Sequence, residues 1–173
     1  MGRTIELVPL QEKDKSVFIA DLQASFAIAP ARAFGGQGEV ISFEEVDGSI
    51  QTPGAESFQV VYQGEYVGGV VVVIDLVTQV NSLDLLFIKE RFNNLGLGLQ
   101  VWRTIEQRYP KTKKWITVTP YFEQRNIHFY VNRCGFRIVE FFNPRHWDDS
   151  VPQQEIPWLA SYFRFEKEMT SSD

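Results

Sequence analysis

Alternating or clustered apolar positions occur in seven short segments of the chain, and these segments are predicted to be strands. They cover residues 3–8, 56–62, 66–75, 83–88, 115–118, 136–142 and 162–167. Apolar residues at helical spacing predict three helices. These cover residues 13–28, 99–108 and 123–133, and Gly135 follows the third as a C-terminal cap. Strands therefore outnumber helices, and the helices are spread along the chain.

Two connections indicate how the strands are arranged. A tight turn at Gln63 and Gly64 joins strands 56–62 and 66–75, so these two strands are antiparallel. A helix separates strands 83–88 and 115–118, and such a crossover joins parallel strands. The sequence predicts one mixed α/β (α+β) domain over residues 1–173, with a central, mostly antiparallel sheet flanked by helices. Two irregular connections are expected, at residues 31–54, where there is room for a short helix, and at residues 143–157.

Composition narrows the class of protein. Apolar residues make up 44% of the 173 residues and aromatic residues 14%, which excludes a disordered chain. No apolar run is long enough to cross a membrane, and a single cysteine cannot form an internal disulfide, so a cytoplasmic protein is expected. The formal net charge of -5 disfavours nucleic acid as a partner. It suits a cationic substrate slightly better than an anionic one, although the simpler interpretation is that a small negative charge keeps the protein soluble.

A glycine-containing loop follows strand 83–88 and leads directly into helix 99–108. Glycine lets the backbone approach a ligand closely, and free amides at a helix start bind phosphate oxygens. Gly96 and Gly98 therefore indicate an anion site, with a turn that binds nothing as the alternative. The loop lacks the Gly-Lys-Ser/Thr of a P-loop and the third glycine of a dinucleotide fingerprint.

The order of elements and three local patterns together resemble the GNAT superfamily of acetyl-CoA-dependent N-acyltransferases. That family has Gln/Arg-x-x-Gly-x-Gly/Ala in this loop, where the chain has Asn-Asn-Leu-Gly-Leu-Gly at 93–98. Segment 83–90 is similar to its central strand and segment 115–119 to the strand that follows. Segment 126–136 is similar to its next helix and to the Gly-Phe that opens the following strand. The resemblance implies the acyl-CoA N-acyltransferase fold, with the parallel strand pair at the cofactor site and acetyl-CoA as acyl donor.

The chain departs from the family pattern at two places. Asn93 stands where the family has Gln or Arg, which weakens any side-chain contribution to phosphate binding. The family tyrosine usually lies four residues before the Gly of Gly-Phe, whereas Tyr130 lies five before Gly135. A one-residue extension of the turn would keep Tyr130 in the tyrosine's role. Asn126 and Tyr130 are also closer in sequence than the usual seven residues, so both cannot match at once.

The resemblance implies roles for individual residues. Backbone groups of Phe87 and Ile88 would pair with the pantetheine arm, to which Asn126 could also bond. Tyr130 would protonate the departing thiolate. The pyrophosphate would lie on the loop and helix start, formed by Asn93, Asn94, Leu95, Gly96, Leu97, Gly98 and Leu99.

The proton acceptor for the amine stays open among Asp84, Glu45 and an ordered water. Asp84 lies four residues before Ile88, so it is predicted to share that residue's face of the strand, although a solvated carboxylate is the simpler interpretation. His128 and His146 have no partners at metal-ligand spacing, so no metal is expected.

The sequence thus predicts an N-acetyltransferase that moves an acetyl group from acetyl-CoA to a primary amine of a small molecule or peptide by direct attack. A catalytically silent acyl-CoA-binding domain of the same fold is the alternative, and a module whose glycine turn binds nothing is a third hypothesis. A homodimer is compatible with the resemblance, whereas nucleic-acid and membrane partners are not expected.

Overall fold

The computed structural model describes residues 4–27, 41–149 and 161–170. Its seven strands form one sheet in the order β1-β2-β3-β4-β5-β7-β6. The strands are β1 Ile5–Pro9, β2 Ala55–Tyr62, β3 Glu65–Val73, β4 Val80–Ile88, β5 Lys114–Pro120, β6 Arg137–Phe142 and β7 Tyr162–Glu168. The helices are α1 Lys15–Phe26, α2 Phe43–Gln51, α3 Leu97–Arg108 and α4 Gln124–His128. The predicted fold class is confirmed.

Strands β4 and β5 are the parallel pair, and they are paired over only a short length. The register runs from Val80 opposite Lys114 to Ser82 opposite Ile116. Pairing stops there, although β4 continues to Ile88 and β5 to Pro120. We call this point, where the two strands separate, the fork. The other neighbouring strands in the sheet are antiparallel.

Helices cover both faces of the sheet. Helix α3 packs on one face, where Trp102 is 1% exposed and meets Trp115 of β5 edge-to-face at 5.1 Å. Helices α1 and α2 pack on the other, where Phe18 meets Phe87 of β4 at 5.2 Å. A Cβ on Gly69 of β3 would lie 2.2 Å from the Phe18 ring, so a glycine is needed there to let α1 approach. The apolar side chains of β4 therefore pack against α3 on one face of the sheet and against α1 and α2 on the other.

Helix α2 lies in the segment that was expected to be an irregular connection with room for a short helix. Its N-cap, Ser42, accepts a hydrogen bond from the backbone N–H of Glu45 at 3.1 Å. A Ser followed three residues later by Glu is the capping-box pattern, so the helix start was readable from the sequence. Residues 31–40 of the same connection, residue 28 at the end of the first predicted helix and residues 150–157 of the predicted later loop lie outside the described residues.

Strand β4 contains a β-bulge at Asp84. Val71 of β3 pairs with Leu85, and the next residue, Val72, pairs with Leu83, so Asp84 has no partner in the ladder. A bulge inserts one residue and interrupts the alternation of faces. Leu83 consequently packs with α3, whereas Leu85 packs with α1 and α2.

Candidate functional site

The glycine loop leads into helix α3 and leaves the backbone N–H groups of the first helical turn exposed to a ligand. Gly96 is the N-cap, with φ 69° and ψ 21°, a left-handed conformation that suits glycine. No side chain caps this helix, so the first-turn amides, including those of Gly98 and Leu99, lack intrahelical partners. Nothing lies within 4 Å of the position that a Gly96 Cβ would take. The helix start, two residues earlier than predicted, can accept an anion.

The two glycines serve different purposes. A Cβ on Gly98 would lie 3.3 Å from the Phe129 ring, so its small size lets α3 pack closely against the segment that follows α4. Leu97 is buried, 1% exposed, and can offer a ligand only its backbone. Asn93, Asn94 and Leu95 precede Gly96 in a 3₁₀ helix and are exposed.

Beyond the fork, β4 presents an unpaired backbone edge on the side of β5. Phe87 is 3% exposed because its ring packs on Phe18, so its side chain is unavailable while its backbone lies on this edge. Ile88 packs towards the α3 face, and its carbonyl accepts a 3.4 Å hydrogen bond from Ser25. Unpaired strand edges can bind an extended ligand through main-chain hydrogen bonds.

The prediction that Asp84 shares a face of β4 with Ile88 is wrong. Asp84 accepts hydrogen bonds from Ser49 of α2 at 3.0 Å and from Ser82 at 2.9 Å, so its carboxylate lies on the α2 face. Ile88 packs on the opposite face because the bulge at Asp84 shifts the alternation by one residue. Glu45 lies in the first turn of α2 and is exposed.

Tyr130 lies in a π-helical segment, Phe129–Arg133, that continues α4. The amide of Cys134 donates to the carbonyl of Phe129, five residues back, at 2.9 Å. A π turn accommodates one residue more than an α turn, so the one-residue extension expected before Gly135 takes this form. Tyr130 is 7% exposed, with its ring 5.7 Å from Phe136. Burial, reinforced by neighbouring negative charge, raises the pKa of Tyr130, whereas a hydrogen bond with Thr117 acts in the opposite direction.

A strip of polar side chains runs along the α3-side face of β5 and the adjoining helix. Thr117 donates to the carbonyl of Leu83 at 2.9 Å, which connects Tyr130 to the fork. Asn126 donates to the hydroxyl of Thr119 at 3.4 Å. We call this strip the polar wall; its members are Thr117, Thr119, Glu123, Asn126 and Tyr130.

Three members of the polar wall were missed in the sequence. Thr117 and Thr119 are buried, at 4% and 3% exposure, and lie on the face of β5 that carries Trp115, with the exposed Val118 between them. Buried threonines on a strand were a readable signal, since a buried hydroxyl needs a partner. Glu123 gave no signal of its own, because a glutamate near a helix start usually lies in solvent.

Comparison with known proteins identifies the family. The sequence profile of the Acetyltransferase (GNAT) family matches residues 25–136. The chain belongs to the GNAT acetyltransferase family. It is also 42% identical over 171 residues to the uncharacterized protein YrkN of Bacillus subtilis (strain 168), covering 94% of this chain and 92% of YrkN.

Solved structures of GNAT proteins share the fold at low sequence identity. An acetyltransferase from Thermus thermophilus superposes with a TM-score of 0.69 at 18% identity, covering 98% of this chain and 100% of that one. Spermidine N-acetyltransferase from Vibrio cholerae, in complex with CoA and spermine, gives 0.68 at 13% identity, covering 95% of each chain. At these identities the similarity establishes the fold.

Within residues 4–27, 41–149 and 161–170, no three His, Cys, Asp or Glu side chains lie close enough together to bind a metal ion. His128 is hydrogen-bonded to Asn132 at 2.9 Å, and His146 to Glu140 at 2.6 Å. None of the helices in these ranges is both long and apolar enough to span a bilayer.

Proposed function

We propose that this GNAT acetyltransferase moves an acetyl group from acetyl-CoA to a primary amine of a small molecule or peptide by direct attack. The observation that carries the proposal is the fork, where the pairing of β4 and β5 ends. The glycine loop after β4 leads to the uncapped start of α3, and the polar wall contributes a buried tyrosine, Tyr130. An elongated, anionic thioester matches an unpaired strand edge that leads to free amides.

The residues present fit acetyl-CoA along its length. The amides at positions 97–99 and the loop with Asn93, Asn94 and Leu95 would hold the pyrophosphate. The backbone of Phe87 and Ile88 would pair with the pantetheine amides, and Asn126, which donates to Thr119 of β5, could bond to the same arm. Acetyl-CoA, when bound, supplies the activated acyl group.

Tyr130 is proposed as the proton donor to the departing thiolate. A phenol is protonated at neutral pH, as a donor requires, and burial, which raises the pKa of Tyr130, keeps it in that form. Thr117 holds it next to Leu83, at the fork, and the aromatic packing around the ring fixes its direction.

Asp84 is proposed to serve the acceptor amine from the other face of the sheet. Its carboxylate is exposed and accepts two hydroxyl hydrogen bonds, so it is a solvated anion at the fork that attracts an ammonium group. The net charge of -5 favours the same class of acceptor. The action of the Vibrio cholerae structural neighbour on spermidine supports a small amine as the acceptor.

We also propose that the protein is cytoplasmic and forms a homodimer.

The proposal is tested by mixing the protein with acetyl-CoA and following free thiol over a panel of polyamines, aminoglycosides, amino acids and peptides. Release of thiol that depends on one amine class, with the acetylated product identified by mass spectrometry, is the expected result. Stabilisation by CoA without turnover on any amine would favour the silent acyl-CoA-binding domain. A protein that CoA does not stabilise at all would contradict both hypotheses.

Asp84→Asn is expected to raise the KM for the acceptor about fivefold and to leave the KM for acetyl-CoA unchanged. A solvent-screened charge pair contributes about 1 kcal/mol, which corresponds to this factor. Steady-state kinetics with the best amine of the panel measure both constants. Glu44→Gln is the matched control, because it removes one negative charge from an exposed position of α2. An equal rise in both variants would mean that general charge, and not Asp84, attracts the amine.

A further inference from the structure

The α2 face of the sheet is open where β5 and β7 pair. Side chains alternate along a strand, and Phe163 and Phe165 of β7 pack into the α3-side core, so Arg164 between them lies on the α2 face. Val118 of β5 is the ladder partner of Arg164 and is 52% exposed on the same face. Helices α1 and α2 pack over β3 and β4 instead. A small ligand can therefore rest on β5 beside the fork.

Three residues on this face form a row across the fork. Pairing of β4 with β5 ends at Ser82 and Ile116. Two residues further along, β4 carries Asp84, β5 carries Val118 and β7 carries Arg164. We call these last three residues the open row. Neighbouring strands lie about 4.8 Å apart, so the ends of the open row are about 10 Å apart, and further apart where β4 and β5 separate.

The guanidinium of Arg164 is held by contacts to one carboxylate oxygen. Its Nε donates to Oε2 of Glu166 at 3.1 Å, and its Nη2 lies 3.0 Å from the same oxygen. Lys114 lies 3.0 Å from the other oxygen, Oε1, so two cations share one anion and the cluster is net positive. Glu140, opposite Arg164 on β6, is hydrogen-bonded to His146 at 2.6 Å. A guanidinium has more N–H donors than these contacts use, which leaves Arg164 able to bind a second anion.

The open row thus has a charge of each sign at its two ends. Asp84 is an exposed carboxylate on β4, Arg164 is a guanidinium on β7, and the uncharged Val118 lies between them. A guanidinium matches the planar geometry of a carboxylate and can bind it through two parallel hydrogen bonds. A polyamine or an aminoglycoside would instead bring a further positive charge towards Arg164, which repels it.

We propose that the acceptor is an amine that also carries a carboxylate, namely an amino acid or a peptide with a free C-terminus, and that Arg164 binds this carboxylate. The inference deepens the acetyltransferase proposal and rests on it. With its ammonium group near Asp84 and its carboxylate at Arg164, the acceptor lies over Val118, at the gap proposed to hold the thioester. Arg164 selects the acceptor and takes no part in proton transfer.

Matched pairs of acceptors test the substrate class on the wild-type protein. Each amino acid or dipeptide is compared with its C-terminal amide, and lysine is also compared with cadaverine, the same diamine without the carboxylate. Thiol release from acetyl-CoA gives kcat/KM for each member of a pair. The carboxylate member is expected to be preferred by at least about tenfold, the usual effect of a hydrogen bond between charged groups.

Arg164→Gln is expected to raise the KM for the best amino acid about tenfold and to leave kcat and the KM for acetyl-CoA close to wild type. Turnover of its amide should change less than about twofold, which also shows that the variant is folded. Lys114→Gln is the matched control, because it removes the same charge and the other partner of Glu166, at the paired end of β5 opposite Val80. Arg164→Lys should recover part of the affinity, since it keeps the charge but not the planar geometry.

The outcomes separate this inference from the proposal on which it rests. A wild-type protein that acetylates no amine contradicts both. An active wild type that uses acids and amides within about threefold of each other overturns the inference and leaves the acetyltransferase proposal standing. Equal losses in Arg164→Gln and Lys114→Gln also overturn it, because the effect would then come from the ion-pair cluster as a whole. If Arg164→Gln does not fold, the wild-type pairs and Arg164→Lys decide.

Discussion

Tyr130→Phe is expected to lower kcat by about 10²- to 10³-fold while leaving acetyl-CoA affinity close to that of wild type. The change removes one buried hydroxyl and keeps the ring that packs between Phe136 and Phe165. General acids typically contribute this much when they protonate a leaving group. The loss should appear in kcat, because the phenol acts on the reacting atoms and not on the bound thioester. Single-turnover thiol release and CoA titration measure the two quantities separately.

Tyr109→Phe is the matched control for this prediction. Tyr109 is also a tyrosine whose pKa is raised by burial, and it is hydrogen-bonded to Glu56 at the other end of α3. Its loss should alter stability and leave kcat unchanged. If Tyr130→Phe turned over at the wild-type rate, Tyr130 would be a packing residue, and another group would have to protonate the thiolate.

Gly96→Glu is expected to weaken CoA binding at least 100-fold. The side chain would project into the open space above the helix start and place a carboxylate where the pyrophosphate is proposed to lie. Repulsion between like charges then adds to the steric block. Titration calorimetry with CoA gives the affinity, and circular dichroism verifies that the fold is retained.

Gly96→Asn is the control that separates charge from backbone conformation. Gly96 has φ 69°, and asparagine tolerates this left-handed region better than other non-glycine residues. The asparagine variant should therefore keep most of the CoA affinity. Wild-type affinity in the glutamate variant would contradict a phosphate site at this loop, and equal loss in both variants would indicate a backbone effect.

Much of the fold could be predicted from local patterns in the sequence. The hairpin at Gln63 and Gly64 and the helical crossover between β4 and β5 are local signals, and each fixes the relative direction of two strands. The start of α2 at Ser42 was also readable as a capping box. The bulge at Asp84 was not, because it arises from how β3 and β4 pair across the sheet, which leaves no mark on β4 alone.

The candidate site also has parts that could be predicted from the sequence and parts that could not. The glycine loop was recognisable because its chemistry is carried by consecutive backbone groups at one helix start. The polar wall was not, because Thr117 and Glu123 come from different elements, and they act on the pKa of Tyr130 only in the folded chain. The position of Tyr130 depended on a π turn, which the sequence indicated only as one residue too many before Gly135.

The fork divides the sheet mechanically into two leaves. Strands β1 to β4 form one leaf, and β5, β7 and β6 form the other. Between the leaves the backbone ladder has only the short register that ends at Ser82 and Ile116, helped by the bond from Thr117 to Leu83. A ligand lying in the gap would supply missing rungs to both leaves, so that binding would stiffen the whole sheet. The acyl donor would then complete the sheet in the proposed complex, and its departure would leave the edges of β4 and β5 open again beyond Ser82 and Ile116.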